Sequence, residues 1–404
     1  MNSKRILIVS GAALSRNPRV LKEASTLADA GHAVTVLTLR NHPAAEVFDR
    51  EIMARARFQR IVLDVANVPG ASPVRVLLRR LRTSFARWAA HRFDRASIET
   101  IGPAAELLSI ARPQPADLVI GHTELGLWVA AQLLAEGRKV AADFEDWHSE
   151  DLPPADRAGR PVRLLRDTER ALLRSAAYVT TTSEALAAAL QQADGGRRLT
   201  VISNAFPLQP DPRHGPPGDP SAFFWFSQTL GPGRGLEEFL AAWNLTTVPS
   251  RVVLLGEDRS GYRDRLRSLV TGPRQTLLEF SDLVPPDALP ALIARHDIGL
   301  ALEHTANRNR DLTISNKVLQ YLNAGLAIVA TPTAGQHEVL AHSPEAGVFL
   351  QSDPTAAATT LDEMLRDKVR LQARQRAARR LAESYYCWEH EQPILLRLIE
   401  QALS

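Results

Sequence analysis

Cysteine is all but missing from this chain: Cys387 stands alone among 404 residues. A single thiol excludes an internal disulfide and any zinc or iron–sulfur site built on several cysteines. It fits a reducing compartment, and a cytoplasmic location is the expectation. Long hydrophobic runs are missing too. No stretch of about 18 uncharged apolar residues occurs, so no transmembrane helix is expected. The opening MNSKRILIVSGAALSRNP carries a basic pair and a short apolar run, which reads as a first strand rather than a leader. Charge of one sign is not in excess: Lys and Arg total 48 against 45 Asp and Glu, a formal +3. That is a weak bias toward anionic partners, and no nucleic-acid partner is expected. No short repeat or low-complexity tract stands out.

What is present is alternation. Strand-like apolar runs at 6–10, 33–39, 61–65, 117–122, 140–144, 177–183 and 199–205 alternate with helical patterns such as 20–30, 125–136 and 168–175. Such alternation predicts right-handed βαβ units around a parallel sheet. Residues 206–220, FPLQPDPRHGPPGDP, hold six prolines, through which neither a helix nor a central strand can run. A second series follows, with strands at 223–228, 252–256, 276–280, 298–303, 327–331 and 348–350 and helices at 236–243, 262–270 and 287–295. The expected architecture is therefore α/β: two doubly wound, Rossmann-like domains (1–205 and 221–385) joined by a proline-rich linker (206–220). A C-terminal helical segment (386–404), broken near 386–393, is placed back on the first domain. Ligands of such sheets bind at the carboxyl ends of the strands.

Two stretches of the second domain are ready for an anion. In 313–335, TISNKVLQYLNAGLAIVATPTAG, Thr313 or Ser315 can cap a helix ended by Gly325. The free N–H groups and positive dipole end of that helix attract an anion, and Asn316 and Lys317 add a donor and a charge there. The alternative is a capped surface helix with Lys317 in water. At 231–235, GPGRG joins a strand to a helix, and Gly233 lets the backbone approach an anion while Arg234 can fork onto phosphate oxygens. The turn matches neither GxGxxG nor GxxxxGK[ST], which disfavours dinucleotide and P-loop chemistry. One diphosphate held between Arg234 and Lys317 is the economical arrangement.

The first domain offers a loop at 11–19, containing Gly11, Asn17 and Arg19, and a strand end at His122. Arg19 either meets an anionic group or pairs with a surface acid. Beyond the fifth strand the chain reads DFEDWHSED, and Glu145, Asp146 and His148 there could orient or deprotonate a hydroxyl, unless the loop is simply solvated. No His-x-x-x-His pair sits on a credible helix, so no metal site is expected. Residues 72–95 hold seven arginines against one aspartate. Val74, Leu77, Leu78, Leu81, Phe85, Trp88 and Ala89 share one helical face. This is the pattern either of a helix on an anionic membrane, here the inner leaflet, or of one facing its own core.

Four stretches resemble the GT-B glycosyltransferases of family 4 and occur in that family's order. They are NPRVLKEASTLADAGHAVTVLT (17–38), SEALAAAL with VISNAFP (183–190, 201–207), SQTLGPGRGLEEFL (227–240) and SNKVLQYLNAGLAIVATPTAGQHEVL (315–340). The resemblance implies transfer of a sugar from a nucleotide-sugar donor, a UDP- or GDP-sugar, usually with retention and without a metal or other cofactor. It implies that Arg234 and Lys317 hold the donor diphosphate, with Gln320 on the ribose. Two departures stand out. Leu312 and Gln320 occupy the places of the family's Glu-x7-Glu, and Ser227-Gln228 replaces a Gly-Arg, with Glu303 able to substitute in part. The acceptor is expected to be a carbohydrate, a polysaccharide precursor or a lipid-linked sugar. A nucleotide-sugar epimerase and a degenerate, binding-only GT-B protein are the alternatives.

Overall fold

The structure, a computed structural model, describes residues 3–41, 43–65, 72–93, 97–194, 196–210, 212, 215–258 and 260–404. The chain divides into two compact units. One comprises 1–182, 186–202 and 392–404, and the other 183–185 and 203–391.

The first unit holds a seven-stranded parallel sheet of order β3-β2-β1-β4-β5-β6-β7. Its strands are β1 (Arg5–Ser10), β2 (Ala33–Arg40), β3 (Gln59–Asp64), β4 (Leu118–His122), β5 (Val140–Phe144), β6 (Val179–Thr181) and β7 (Thr200–Val201). The central strands β4 and β5 are buried throughout, as expected of a sheet covered by helices on both faces. The order reverses between β1 and β4, which places their carboxyl ends, Ser10 and His122, side by side at a topological switch point. There Thr123 adopts φ +60°, the one positive φ outside glycine among the described residues. That is a strained conformation for a β-branched residue. Its hydroxyl accepts from the Gly11 N–H at 2.8 Å, which ties the two strand ends together.

The second unit holds a six-stranded parallel sheet of order β10-β9-β8-β11-β12-β13. The strands are β8 (Ser221–Leu230), β9 (Ser250–Asp258), β10 (Leu278–Ser281), β11 (Ile298–Ala301), β12 (Ala327–Ala330) and β13 (Gly347–Phe349). Alternation along β8 splits the core in two. Phe223 and Trp225 enter one cluster with Phe239 and Trp243, and Phe224 and Phe226 enter the other with Tyr321 and Leu322. Gly325 ends the Asn316–Ala324 helix with φ +74°.

Some expectations need correction. The segment 11–19 is not all loop: a turn of 3-10 helix spans Leu14–Arg16, and Asn17 caps a helix starting at Pro18. The helix expected over 287–295 is only Leu289–Ile293. The C-terminal break is confined to 385–387, and the last helix, Trp388–Leu403, runs through Pro393. Burial of Leu395 and Ile399 holds it together across the lost hydrogen bond. The core-facing reading of 72–95 fails as well. Helix Pro73–Phe93 turns its apolar stripe outward, while Arg79 is buried against Glu106. Asp94 and Arg95 lie outside the described residues, as do Asp211, Arg213 and His214 of the proline-rich segment.

Candidate functional site

In the second unit, the loop after β8 and the start of the Asn316–Ala324 helix point charge at one carboxylate. Glu303, just past β11, is buried and accepts from Lys317 Nζ at 2.6 Å. Burial pushes its carboxyl up, but the charges of Lys317, Arg310 and Arg234 hold it below the usual range. Lys317 also lies 5.8 Å above the Trp225 ring. Lys317 is therefore buried and paired rather than free in water. Arg234 is partly buried with no bonded partner among the described residues. Burial and the like charge of Arg310 both lower its pKa, and only Glu303 opposes them. Arg310 is anchored by a 3.2 Å bond to the Gly233 carbonyl. Lys317 thus bonds Glu303 directly, while Arg234 and Arg310 stand close enough to act on it through their charge.

Left-handed glycines make this possible. Gly233 and Gly235 have φ of +71° and +72°, and the Gly235 N–H donates to His304 Nε2 at 3.1 Å. Ser315, rather than Thr313, caps the Asn316–Ala324 helix by accepting from Val318, so further N–H groups remain free at its start. Asn316 is exposed beside them, Gln320 is half-buried one turn on, and Gln228 stands exposed at the β8 bulge.

In the first unit the strand ends carry a buried ionic cluster. Arg19 forks onto Asp143 at 2.7 and 2.9 Å and donates to the Ile202 carbonyl. His122 faces Glu23 at 2.5 Å, Asp143 at 3.1 Å and Glu145 at 3.3 Å. Asn17 donates to Glu145 at 3.0 Å while its oxygen caps the next helix. Burial opposes charge on His122, but Glu23 and Asp143 outweigh it and raise its pKa well above the ordinary value. Arg19 and His122 are therefore closed off from solvent. Of the two, His122 is the one that contacts Glu145.

Beside this cluster lies a cavity of about 650 Å³, lined by Gly11, Thr123, Glu124, Asp146, His148 and Asp151 on one side and by Arg79, Arg80, Thr83, Ser84 and Arg87 on the other. His148 Nε2 is buried there without a hydrogen-bond partner. Desolvation raises the Asp151 carboxyl to about 6 even though Arg160 binds it at 2.6 Å.

Comparison with known proteins gives the family. Residues 17–205 match the glycosyl transferase 4-like domain family, and residues 223–367 match the glycosyl transferases group 1 family. The chain is a family-4-like GT-B glycosyltransferase. No curated protein sequence matches it. Among solved structures it is similar to Anabaena HepE in complex with UDP and glucose (17% identity, 98% and 99% of the two chains covered, TM-score 0.68). It is also similar to sucrose-phosphate synthase from Thermosynechococcus elongatus (14%, 98% and 98%, TM-score 0.73). A third likeness is to a UDP-N-acetylglucosamine 2-epimerase of Listeria monocytogenes, described as putative (10%, 99% and 96%, TM-score 0.60).

Among the described residues the glycosyltransferase has two acid–histidine trios whose ligand atoms lie within 4.8 Å of one another, Glu23–His122–Asp143 and Glu124–His148–Asp151. In each, a guanidinium already takes a cation's place. Arg19 covers both Asp143 oxygens, and Arg160 bridges Glu124 and Asp151. Arg310, Glu23, Glu124 and Arg160 escaped the sequence reading. Arg310 lies only two residues before Leu312, but no motif marks it.

Proposed function

We propose that this nucleotide-sugar glycosyltransferase moves a sugar from a UDP- or GDP-sugar to an acceptor hydroxyl, with retention of configuration and without a bound metal. The observation that carries this is the positive charge gathered around Glu303, which Lys317 bonds directly and on which Arg234 and Arg310 act through their charge. The excess of two positive charges matches a diphosphate. As the glycosyl bond breaks, negative charge grows on the departing phosphate. Fixed cations and helix N–H groups stabilise that charge without reorganising. Ser315 and Asn316 lie at the helix start that receives the phosphate, and Gln320 is assigned to the ribose. In place of a family glutamate, Leu312 offers the donor sugar no hydrogen bond.

The acceptor hydroxyl is assigned to the edge formed by Gly11, Glu145, Asp146 and His148, where a carboxylate or imidazole orients it. With retention, the leaving phosphate takes the acceptor's proton. The likeness to an epimerase keeps a second reading in view, in which the donor sugar changes with no acceptor present.

Calorimetry with UDP and GDP tests the donor site. Arg234→Ala and Arg310→Gln each lower affinity for one of these nucleotides about 10- to 100-fold, the worth of a charge-assisted bond. Unchanged affinity in both variants overturns the reading. NMR of the donor alone separates transfer from epimerisation, because only the epimerase alters it without acceptor.

A further inference from the structure

We propose that helix Pro73–Phe93 lies on an anionic membrane surface and that the cavity beside it takes the phosphate headgroup of an anionic lipid acceptor. Only the role of that lipid as acceptor rests on the transferase reading.

Seven of the thirteen large hydrophobic side chains exposed among the described residues lie on this one helix. Val74, Leu77, Leu78, Leu81, Phe85 and Trp88 are each more than half exposed. At about 100° per residue they form one stripe. Such a concentration of apolar surface marks an interaction site rather than scattered surface residues. Arginines border the stripe on both sides. Arg75 and Arg82, seven residues apart, lie along one flank, and Arg80 and Arg87 along the other. An apolar centre between rows of guanidinium groups is complementary to an acyl-chain boundary under anionic headgroups. No helix among the described residues is long and apolar enough to cross a membrane, so this helix would lie in the plane of the surface.

The Arg80–Arg87 flank is also a cavity wall. Arg80, Thr83, Ser84 and Arg87 recur at helical spacing and face Asp146 and His148 across the cavity. Arg79 is committed to Glu106, and Arg87 donates to the Thr100 carbonyl. Arg80 has no bonded partner among the described residues and stands where membrane face and cavity meet. A phosphate drawn to the flank from the membrane side would leave its tail along Leu77, Leu81 and Phe85. Its headgroup would then sit inside the cavity, toward the edge assigned to the acceptor hydroxyl.

The test is co-sedimentation of the full chain with vesicles. The chain pellets with phosphatidylcholine–phosphatidylglycerol vesicles and stays in solution with phosphatidylcholine alone. Leu77→Ser with Phe85→Ser releases it. Arg75→Gln with Arg82→Gln weakens it about fivefold per arginine. All four side chains are exposed, so the fold is kept. For the cavity, the probe is dihexanoyl phosphatidylglycerol below its micelle concentration. It binds the wild type, and Arg80→Gln loses at least tenfold, whereas inorganic phosphate and dihexanoyl phosphatidylcholine do not bind. Failure to pellet at low salt, equal binding to both vesicle types, or inorganic phosphate binding as well as the lipid overturns the proposal. So does self-association through the stripe, seen by ultracentrifugation and abolished by Leu81→Ser. UDP and GDP affinity is measured on the same variants. Vesicle binding without nucleotide binding sinks the donor assignment alone, and the converse sinks only this proposal.

Discussion

Arg19 and Asp143 are almost fully buried, and a buried pair is costly to break from one side because the remaining charge has nowhere to go. Arg19→Met should cost about 3–5 kcal/mol in urea unfolding. The double variant with Asp143→Asn should recover part of it. Asp151 carries the opposite lesson. Its folded-state value, about 6, lies above the ordinary 3.8. Between those values the folded chain holds the proton more tightly than the unfolded chain, so this group's contribution to stability falls as pH rises and the penalty is complete above about 6. Asp151→Asn should therefore unfold at the same temperature as the wild type near pH 4 and at a higher one near pH 7.5, measured by thermal scans at both. Arg234, Glu303 and Lys317 were legible at this scale because a glycine turn, a strand end and a capped helix each announce their residues locally. Arg310 and Glu23 were not, since a lone charge in a short helix or on a helix flank has no local signature.

Among the elements, helix Pro73–Phe93 shows the limit of periodicity. The spacing of its leucines and aromatics gave the stripe but not its direction, because a helical pattern is the same whether the stripe meets a core or a membrane. The direction was decided by its opposite face, where Val76, Arg79 and Ala90 are buried. Helix Thr123–Ala135 depends on a different detail. A methyl group at Gly126 would run into the Val9 carbonyl of β1. Gly126→Ala should therefore push the helix off the sheet and destabilise the chain by about 1–3 kcal/mol in urea unfolding. It should also loosen the Thr123–Gly11 contact at the cavity. A glycine mid-helix reads in the sequence only as a weak helix former; its role belongs to the packing.

At the level of the whole molecule, a ligand that binds only the folded chain stabilises it by about 2.7 kcal/mol at a hundredfold excess over its dissociation constant. UDP or GDP should thus raise the unfolding midpoint by a few degrees, and Arg234→Ala should cut the rise to about half or less at the same nucleotide concentration. The stretches read as strands all correspond to observed ones, from β1 to β13, because apolar runs punctuated by turn residues are local signals. The boundaries moved by a few residues, and Pro393 did not break its helix, since packing of its neighbours outweighed one missing bond. What the sequence settled alone was the alternation of strands and helices and the two turns able to receive an anion, both written in neighbouring residues. Only the tertiary structure decided that Lys317 bonds Glu303 with Arg234 and Arg310 near enough to act on it, that Arg19 and His122 are closed off from solvent, and that the apolar stripe of 73–93 faces outward. Each of those is a relation between residues distant in the chain, fixed by how the elements pack and by which charges that packing removes from water.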